Sequence, residues 1–168
     1  MTIQKVSRAM RTRAMAFDFG GTISGRRVDH ILGQKPVDPD AARALHELAR
    51  LDMRLVLASN TLPGESRWPA LQEAGVEELF TAALLSHALG AAKPESIFYQ
   101  LVITAAQCEP SEILFVGDNM SHDVIAPLSH GMRAALVRPH GLKPTETLPT
   151  GVPCIRHVKE LPSLLEMS

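Results

Sequence analysis

Short apolar runs alternate along the chain with segments whose apolar positions recur at helical spacing. This is the pattern of a parallel sheet covered on both faces. Five runs predict strands, at Ala14–Phe19, Arg54–Ser59, Thr81–Leu85, Ile113–Gly117 and Ala134–Arg138, with a weaker sixth around Val152–Arg156. Each is brief and mostly apolar, as expected of a strand buried on both faces. Between the first two, Asp38-Pro39 offers an N-cap and a proline at the first helical position, and Ala41, Ala44, Leu45 and Leu48 then share one face, which predicts a helix over 39–50. Further helices are predicted near 66–75, 94–106, 122–129 and 159–166. Pro127 lies inside the fourth, so a late start or a kink is expected there.

Composition narrows the class. At 168 residues the chain suits one domain with a single core, residues 1–168, with no repeat or interdomain linker. Its 17 basic and 18 acidic residues leave a net charge of −1, so no bulk field favours nucleic acid or an anionic membrane, and anion binding has to be local. Cys108 and Cys154 are far apart and make no CxxC pattern. With no signal-peptide or membrane-spanning stretch, the expected setting is the reduced cytoplasm. Lys5, Arg8, Arg11 and Arg13 give the start a basic character; a solvated leader over 1–12 is the preferred reading, ahead of an arm for an acidic partner or a short transit peptide.

The candidate chemistry gathers where such a sheet would place it, at the carboxyl ends of strands. The run AFDFGGT delivers Asp18 into a Gly-Gly turn closed by Thr22, the second strand ends at Ser59-Asn60, and the fourth ends at Gly117-Asp118. Lys93 precedes a proline at the start of a helix and can project over the same edge. Asp-Phe-Gly alone would suggest a kinase metal loop, but no Gly-rich loop precedes it and no HRD segment is present.

Taken in order, these segments resemble the haloacid dehalogenase (HAD) superfamily, from the Asp18 strand through Gly141 and most densely in AAKPESIFYQLVITAAQCEPSEILFVGDNMSHDV. The resemblance implies an α/β, Rossmann-like three-layer sandwich with a mainly parallel five- to six-stranded sheet. It also implies that Asp18 is a nucleophile, that Ser59 binds phosphate, that Lys93 is the family's lysine, and that Gly117, Asp118 and Asp123 form its acidic GDxxxxD motif. The residue two beyond the nucleophile, Gly20 here, gives its carbonyl to the metal. Physical chemistry agrees with these roles. Asp18 and Asp118 are hard oxygen ligands suited to Mg²⁺, and Lys93 can bridge Asp18 and a phosphate. Ser59 and the amide of Asn60 can donate to phosphate oxygens, with Gly20 and Gly21 alongside. Asp123 would hold Lys93 or orient the metal shell from behind, with Thr22 in a similar supporting place.

One part is missing. Gly20 has no carboxyl group to protonate the leaving oxygen and later activate water, a contribution of typically about 10²–10⁴-fold. Three readings follow: a phosphatase for substrates that leave easily or bring their own acid; a covalent Asp18 intermediate serving other chemistry; or a binding module without turnover. Only Ile23–Val37 separates Thr22 from the first helix, and one helix and one strand fill Asn60–Lys93, so a capless member is expected. Phosphonatase chemistry then lacks its cap lysine, and dehalogenation lacks a closed dry pocket. An open site suits a phosphorylated small molecule, a carrier-bound or macromolecular substrate, or completion by a second copy of the chain. Residues 23–37 form a flap candidate, in which Arg26, Arg27 or Lys35 could read a second anion and His30 could replace the acid, although an ordinary solvated loop is the preferred reading of the two arginines and of His30. His122 is a further proton-donor candidate, for which a surface place at the helix start is the simpler reading.

Overall fold

The computed structural model describes residues 11–166. Most of the basic leader expected over 1–12 therefore lies outside the described residues. Six strands form one sheet: β1 (Ala14–Phe17), β2 (Arg54–Ser59), β3 (Phe80–Leu85), β4 (Ile113–Gly117), β5 (Arg133–Val137) and β6 (Cys154–Ile155). Their spatial order is β3-β2-β1-β4-β5-β6 and every pairing is parallel. The helices are α1 (Pro39–Arg50), α2 (Trp68–Glu73), α3 (Ser86–Leu89), α4 (Ser96–Ala106), α5 (Ala126–Ser129) and α6 (Leu161–Glu166). None of them is long and apolar enough to cross a membrane.

The two-residue alternation of side chains along a strand divides the core between the faces of the sheet. Met15 and Phe17 of β1, with Leu55 and Leu57 of β2, pack with Ala41, Leu45 and Leu48 of α1 and Leu161 of α6. Ala14, Ala16 and Val56 point the other way, onto Phe98, Tyr99 and Val102 of α4. Both faces are covered, which is why the strands read as continuous apolar runs.

The differences from expectation are at element ends. β1 stops at Phe17 because the chain then folds back, the Phe19 carbonyl accepting from the amides of Thr22, Ile23 and Ser24. Asp18 thus stands just past the strand, although its amide still donates to the Val116 carbonyl at 3.0 Å. The helix expected over 122–129 starts earlier, as a wide π-helical turn over Met120–Ile125 that runs into α5. Pro127 falls just after that π-helical turn, in the first turn of α5. The short α3, which ends on Gly90 in the left-handed region, was not foreseen. The segment before α1 folds back on itself through antiparallel bridges, Ser24 to Val37 and Asp29 to Gln34.

α1 begins as its sequence dictates. Asp38 Oδ1 accepts from the amides of Asp40 and Ala41 at 2.9 and 3.0 Å, and His157 Nε2 lies 3.1 Å from the same oxygen. Asp38→Ala is expected to lower stability by about 1 kcal/mol, the usual worth of an N-cap, while Asp38→Asn retains most of it. Chemical denaturation of the two variants checks this, and equal losses would remove the cap from the account.

Candidate active site

The strand order sets β1 between β2 and β4, so the carboxyl ends of these three strands lie side by side. Asp18 follows the first, Ser59 and Asn60 close the second, and Gly117 and Asp118 close the third. Lys93 enters from the turn before α4, and Asn60 holds it there. The Asn60 side chain accepts from the Lys93 amide at 2.9 Å and donates to the Lys93 carbonyl at 3.0 Å, pinning the lysine backbone from both sides. Sequence reasoning gave only the backbone amide of Asn60 a role. Its carboxamide is in fact the clamp joining the end of β2 to the lysine turn.

The lysine ammonium sits between two carboxylates, 3.0 Å from Asp18 Oδ1 and 2.8 Å from Asp123 Oδ1. The other Asp123 oxygen accepts from the Asn119 amide at 3.0 Å, so both of its oxygens are engaged, and the side chain is 1% exposed. Burial opposes the lysine charge, but the fields of Asp18 and Asp123 outweigh it and hold the Lys93 pKa above its ordinary value. Burial also raises Asp123, against the pull of Lys93.

Asp118 completes a cluster. Oxygens of Asp18, Asp118 and Asp123 all lie within 4.8 Å of one another. Burial, then the charge of Asp18 and a hydrogen bond shared with it, pushes the Asp118 carboxyl up to about 6. Three carboxylates so close, facing a single ammonium, form an oxygen donor set that a hard divalent cation relieves. The Asp118 carbonyl accepts from Arg138 Nη1, and Arg138 is clasped by Glu146. That clasp and the Lys143 amide hold the Glu146 carboxyl down at about 2. Arg138 was expected as the end of the fifth strand; β5 stops at Val137, and Arg138, just past it, anchors Asp118.

Two glycines are required by this packing. A Cβ on Gly117 would overlap the Asp123 carboxylate, and one on Gly21, whose φ is +71°, would overlap Asp118 Oδ2. Gly20 is different: a Cβ there meets nothing within 4 Å. Thr22 is buried beneath the same turn, and its hydroxyl has no hydrogen-bond partner among the described residues.

Ser59 is 1% exposed, and its hydroxyl accepts from Arg67 Nε at 3.2 Å. Arg67 was missed in the sequence because it falls at the start of the helix predicted near 66–75, immediately before α2, where no motif marks it; only its place shortly after Ser59-Asn60 could have flagged it. His122 contributes backbone rather than imidazole, its amide donating to Asn119 Oδ1 and its carbonyl accepting from the Tyr99 hydroxyl at 2.6 Å. Arg26, Arg27, His30 and Lys35 are exposed, and no contact among the described residues joins them to the carboxylate cluster.

A family model of haloacid dehalogenase-like hydrolases matches residues 22–131, more than half of the chain. The chain belongs to that family. Among similar proteins is the phosphoserine phosphatase of Thermus thermophilus, 32% identical over 66% of this chain and 44% of its own length. Phosphatase MT3486 of Mycobacterium tuberculosis is 36% identical over 59% of this chain and 45% of its own. The chain thus spans less than half the length of these curated relatives. Among solved structures, the HAD phosphatase of Thermococcus onnurineus superposes with a TM-score of 0.64 at 26% identity, covering 77% of this chain and 58% of that one. The six-stranded parallel sheet is therefore the HAD fold, and hydrolase is the class of activity its family carries.

In this HAD-type site Gly117 lets Asp123 reach Lys93. Gly117→Ala is expected to displace that carboxylate and cost about 1–3 kcal/mol, as overpacking of a filled interior does. Thermal or urea unfolding measures the loss, and unchanged stability would show that the Asp123 carboxylate has room to move.

Proposed function

We propose that the chain is a Mg²⁺-dependent phosphatase working through an aspartyl-phosphate on Asp18. One observation carries the reading: the Lys93 ammonium held between Asp18 and Asp123, inside a cluster completed by Asp118. The donor set fits Mg²⁺, with Asp18, Asp118 and the Gly20 carbonyl as its protein ligands. When bound, the ion supplies positive charge to the phosphoryl oxygens.

The chain's own groups do the rest. Lys93 neutralises Asp18 and fixes its direction, so that two anions can approach. A carboxylate oxygen of Asp18 forms a bond to phosphorus as the bond to the leaving oxygen breaks, and the leaving oxygen keeps the electron pair. Ser59 and the Asn60 amide donate to the phosphoryl oxygens. Water then cleaves the aspartyl-phosphate, returning the carboxylate and releasing phosphate. No side chain at position 20 delivers a proton to the leaving oxygen, so the reaction favours groups stable as anions: acyl phosphates, phosphoanhydrides and phenolic esters. Phosphoserine, named for the Thermus relative, leaves as an alkoxide and suits this site poorly. On the capless reading, the mouth admits a carrier-bound or macromolecular substrate, or a second copy of the chain.

A second reading has its own observation. Gly20 lacks the acid, which suits a module that binds a phosphorylated ligand or partner without turnover. A phosphate-substrate panel with Mg²⁺ separates the two. Turnover is expected on acetyl phosphate or an aryl phosphate, and Asp18→Asn is expected to abolish it. Absent turnover, with Mg²⁺ and phosphate still bound, would select the module.

Position 20 gives a finer test, because a side chain there meets open space. Gly20→Asp is expected to raise turnover of alkyl phosphates by about 10²-fold or more, the scale of general acid catalysis, with a much smaller gain for acetyl or aryl phosphates. Equal gains for both classes would sink the leaving-group argument.

A further inference from the structure

Arg67 is held beside the site with unusual completeness. Its Nε lies 3.2 Å from Ser59 Oγ, Nη1 lies 2.8 Å from Glu65 Oε1, and Nη2 lies 3.4 Å from the Asn60 carbonyl. The guanidinium stacks 4.5 Å from the ring centroid of Phe19, the residue after Asp18, and the side chain is 13% exposed. The loop presenting it is braced as well. Glu65 also accepts from the Leu62 amide, and Gln34, from the segment between β1 and α1, donates to the Ser66 carbonyl at 2.8 Å. With Nη1 committed to Glu65 and one face on Phe19, the guanidinium is poorly placed to turn outward and seize a ligand itself. Its reach into the site is through Ser59.

A serine hydroxyl has one proton to donate and two lone pairs to accept with. Arg67 Nε–H fills one lone pair, so the Ser59 proton must point elsewhere. Its partner within the protein is the Asn60 carbonyl at 3.3 Å, a long contact that an anion can readily replace. Arginine stays protonated at all ordinary pH, so this polarity never reverses.

We propose that Arg67 is a positioning residue for oxyanion recognition: by occupying an acceptor lone pair of Ser59 it makes that hydroxyl a permanent, polarised donor to a phosphoryl oxygen. This rests on the phosphate-binding reading of the site. It assigns a task to a residue that neither the carboxylate cluster nor the lysine accounts for. The task requires a donor at the Nε position, and charge alone does not satisfy it.

Side-chain length makes the requirement testable. Glutamine places an amide nitrogen where arginine has Nε, keeping the donor and losing the charge; methionine fills the same space with neither. The full chain is titrated calorimetrically with inorganic phosphate in the presence of Mg²⁺. Arg67→Met is expected to weaken phosphate binding about tenfold, while Arg67→Gln stays within about threefold of the unaltered protein. In a Ser59→Ala background, Arg67→Met is expected to add no more than about twofold, since the two residues act as a unit. Equal weakening by Gln and Met, or additive losses in the double variant, would overturn the proposal. Thermal unfolding accompanies each variant. If Arg67→Met does not fold, Arg67→Lys replaces it: the charge is kept but the donor sits one atom farther out, so phosphate binding weakens severalfold, and unchanged affinity overturns the proposal. Absence of phosphate binding by the unaltered protein would be a separate outcome, defeating the phosphate reading and the Arg67 role with it.

Discussion

A lysine ammonium with 3% of its side chain exposed is met by two carboxylates, whose fields outweigh the cost of its burial. The site depends on that contact. Taking an ion out of water costs several kcal/mol, and removing one partner of a buried pair typically costs about 3–5 kcal/mol because the other is left uncompensated. The surrounding chain therefore has to deliver all three groups within hydrogen-bond length, and several otherwise unrelated features serve that end. Asn60 pins the lysine backbone, Gly117 clears space for Asp123, the Asn119 amide occupies the second Asp123 oxygen, and the Val116 carbonyl receives the Asp18 amide. Strand order makes this possible, since β1 lies between β2, whose end carries the Asn60 clamp on Lys93, and β4, which leads to Asp123.

The layer architecture was legible in the sequence because buried parallel strands and amphipathic helices have distinct periodicities. Asp38-Pro39 and the Ala41, Ala44, Leu45, Leu48 stripe located α1 to the residue, since capping chemistry and the first-turn proline act locally. Element ends were less legible where tertiary hydrogen bonds decide them. The turn after Phe17 is closed by the carbonyl of Phe19, and the π-helical stretch from Met120 accompanies Asp123 reaching inward to Lys93 and the Tyr99 hydroxyl holding the His122 carbonyl. A helical wheel has no term for either.

The site divides in the same way. Asp18, Ser59, Lys93, Asp118 and Asp123 each sit at or near a strand end or helix start, where position in the fold can be read from pattern. Asn60 as a clamp, Arg138 as anchor of the Asp118 carbonyl, and Arg67 against Ser59 are contacts between segments far apart in sequence or within irregular loops, and no periodicity marks them. The flap residues show the converse relation. Arg26, Arg27, His30 and Lys35 are close to Asp18 along the chain, yet the backbone pairing of Ser24 with Val37 and Asp29 with Gln34 leaves those four side chains exposed.

Charge balance explains why a glycine at position 20 leaves the rest of the constellation intact. Asp18, Asp118 and Asp123 already crowd within 4.8 Å of one another, and burial, followed by the charge of Asp18, pushes Asp118 up to about 6. A further carboxylate over this cluster would feel the same repulsion, which is how an acid is kept protonated near neutral pH. Gly20 brings no such charge. Orientation of Asp18 does not depend on position 20, because Lys93 and the Val116 carbonyl supply it. The contacts that orient Asp18 are thus physically separable from position 20. Those contacts are buried, whereas a Cβ at position 20 would meet nothing within 4 Å, so that position lies outside the packing that holds the cluster together.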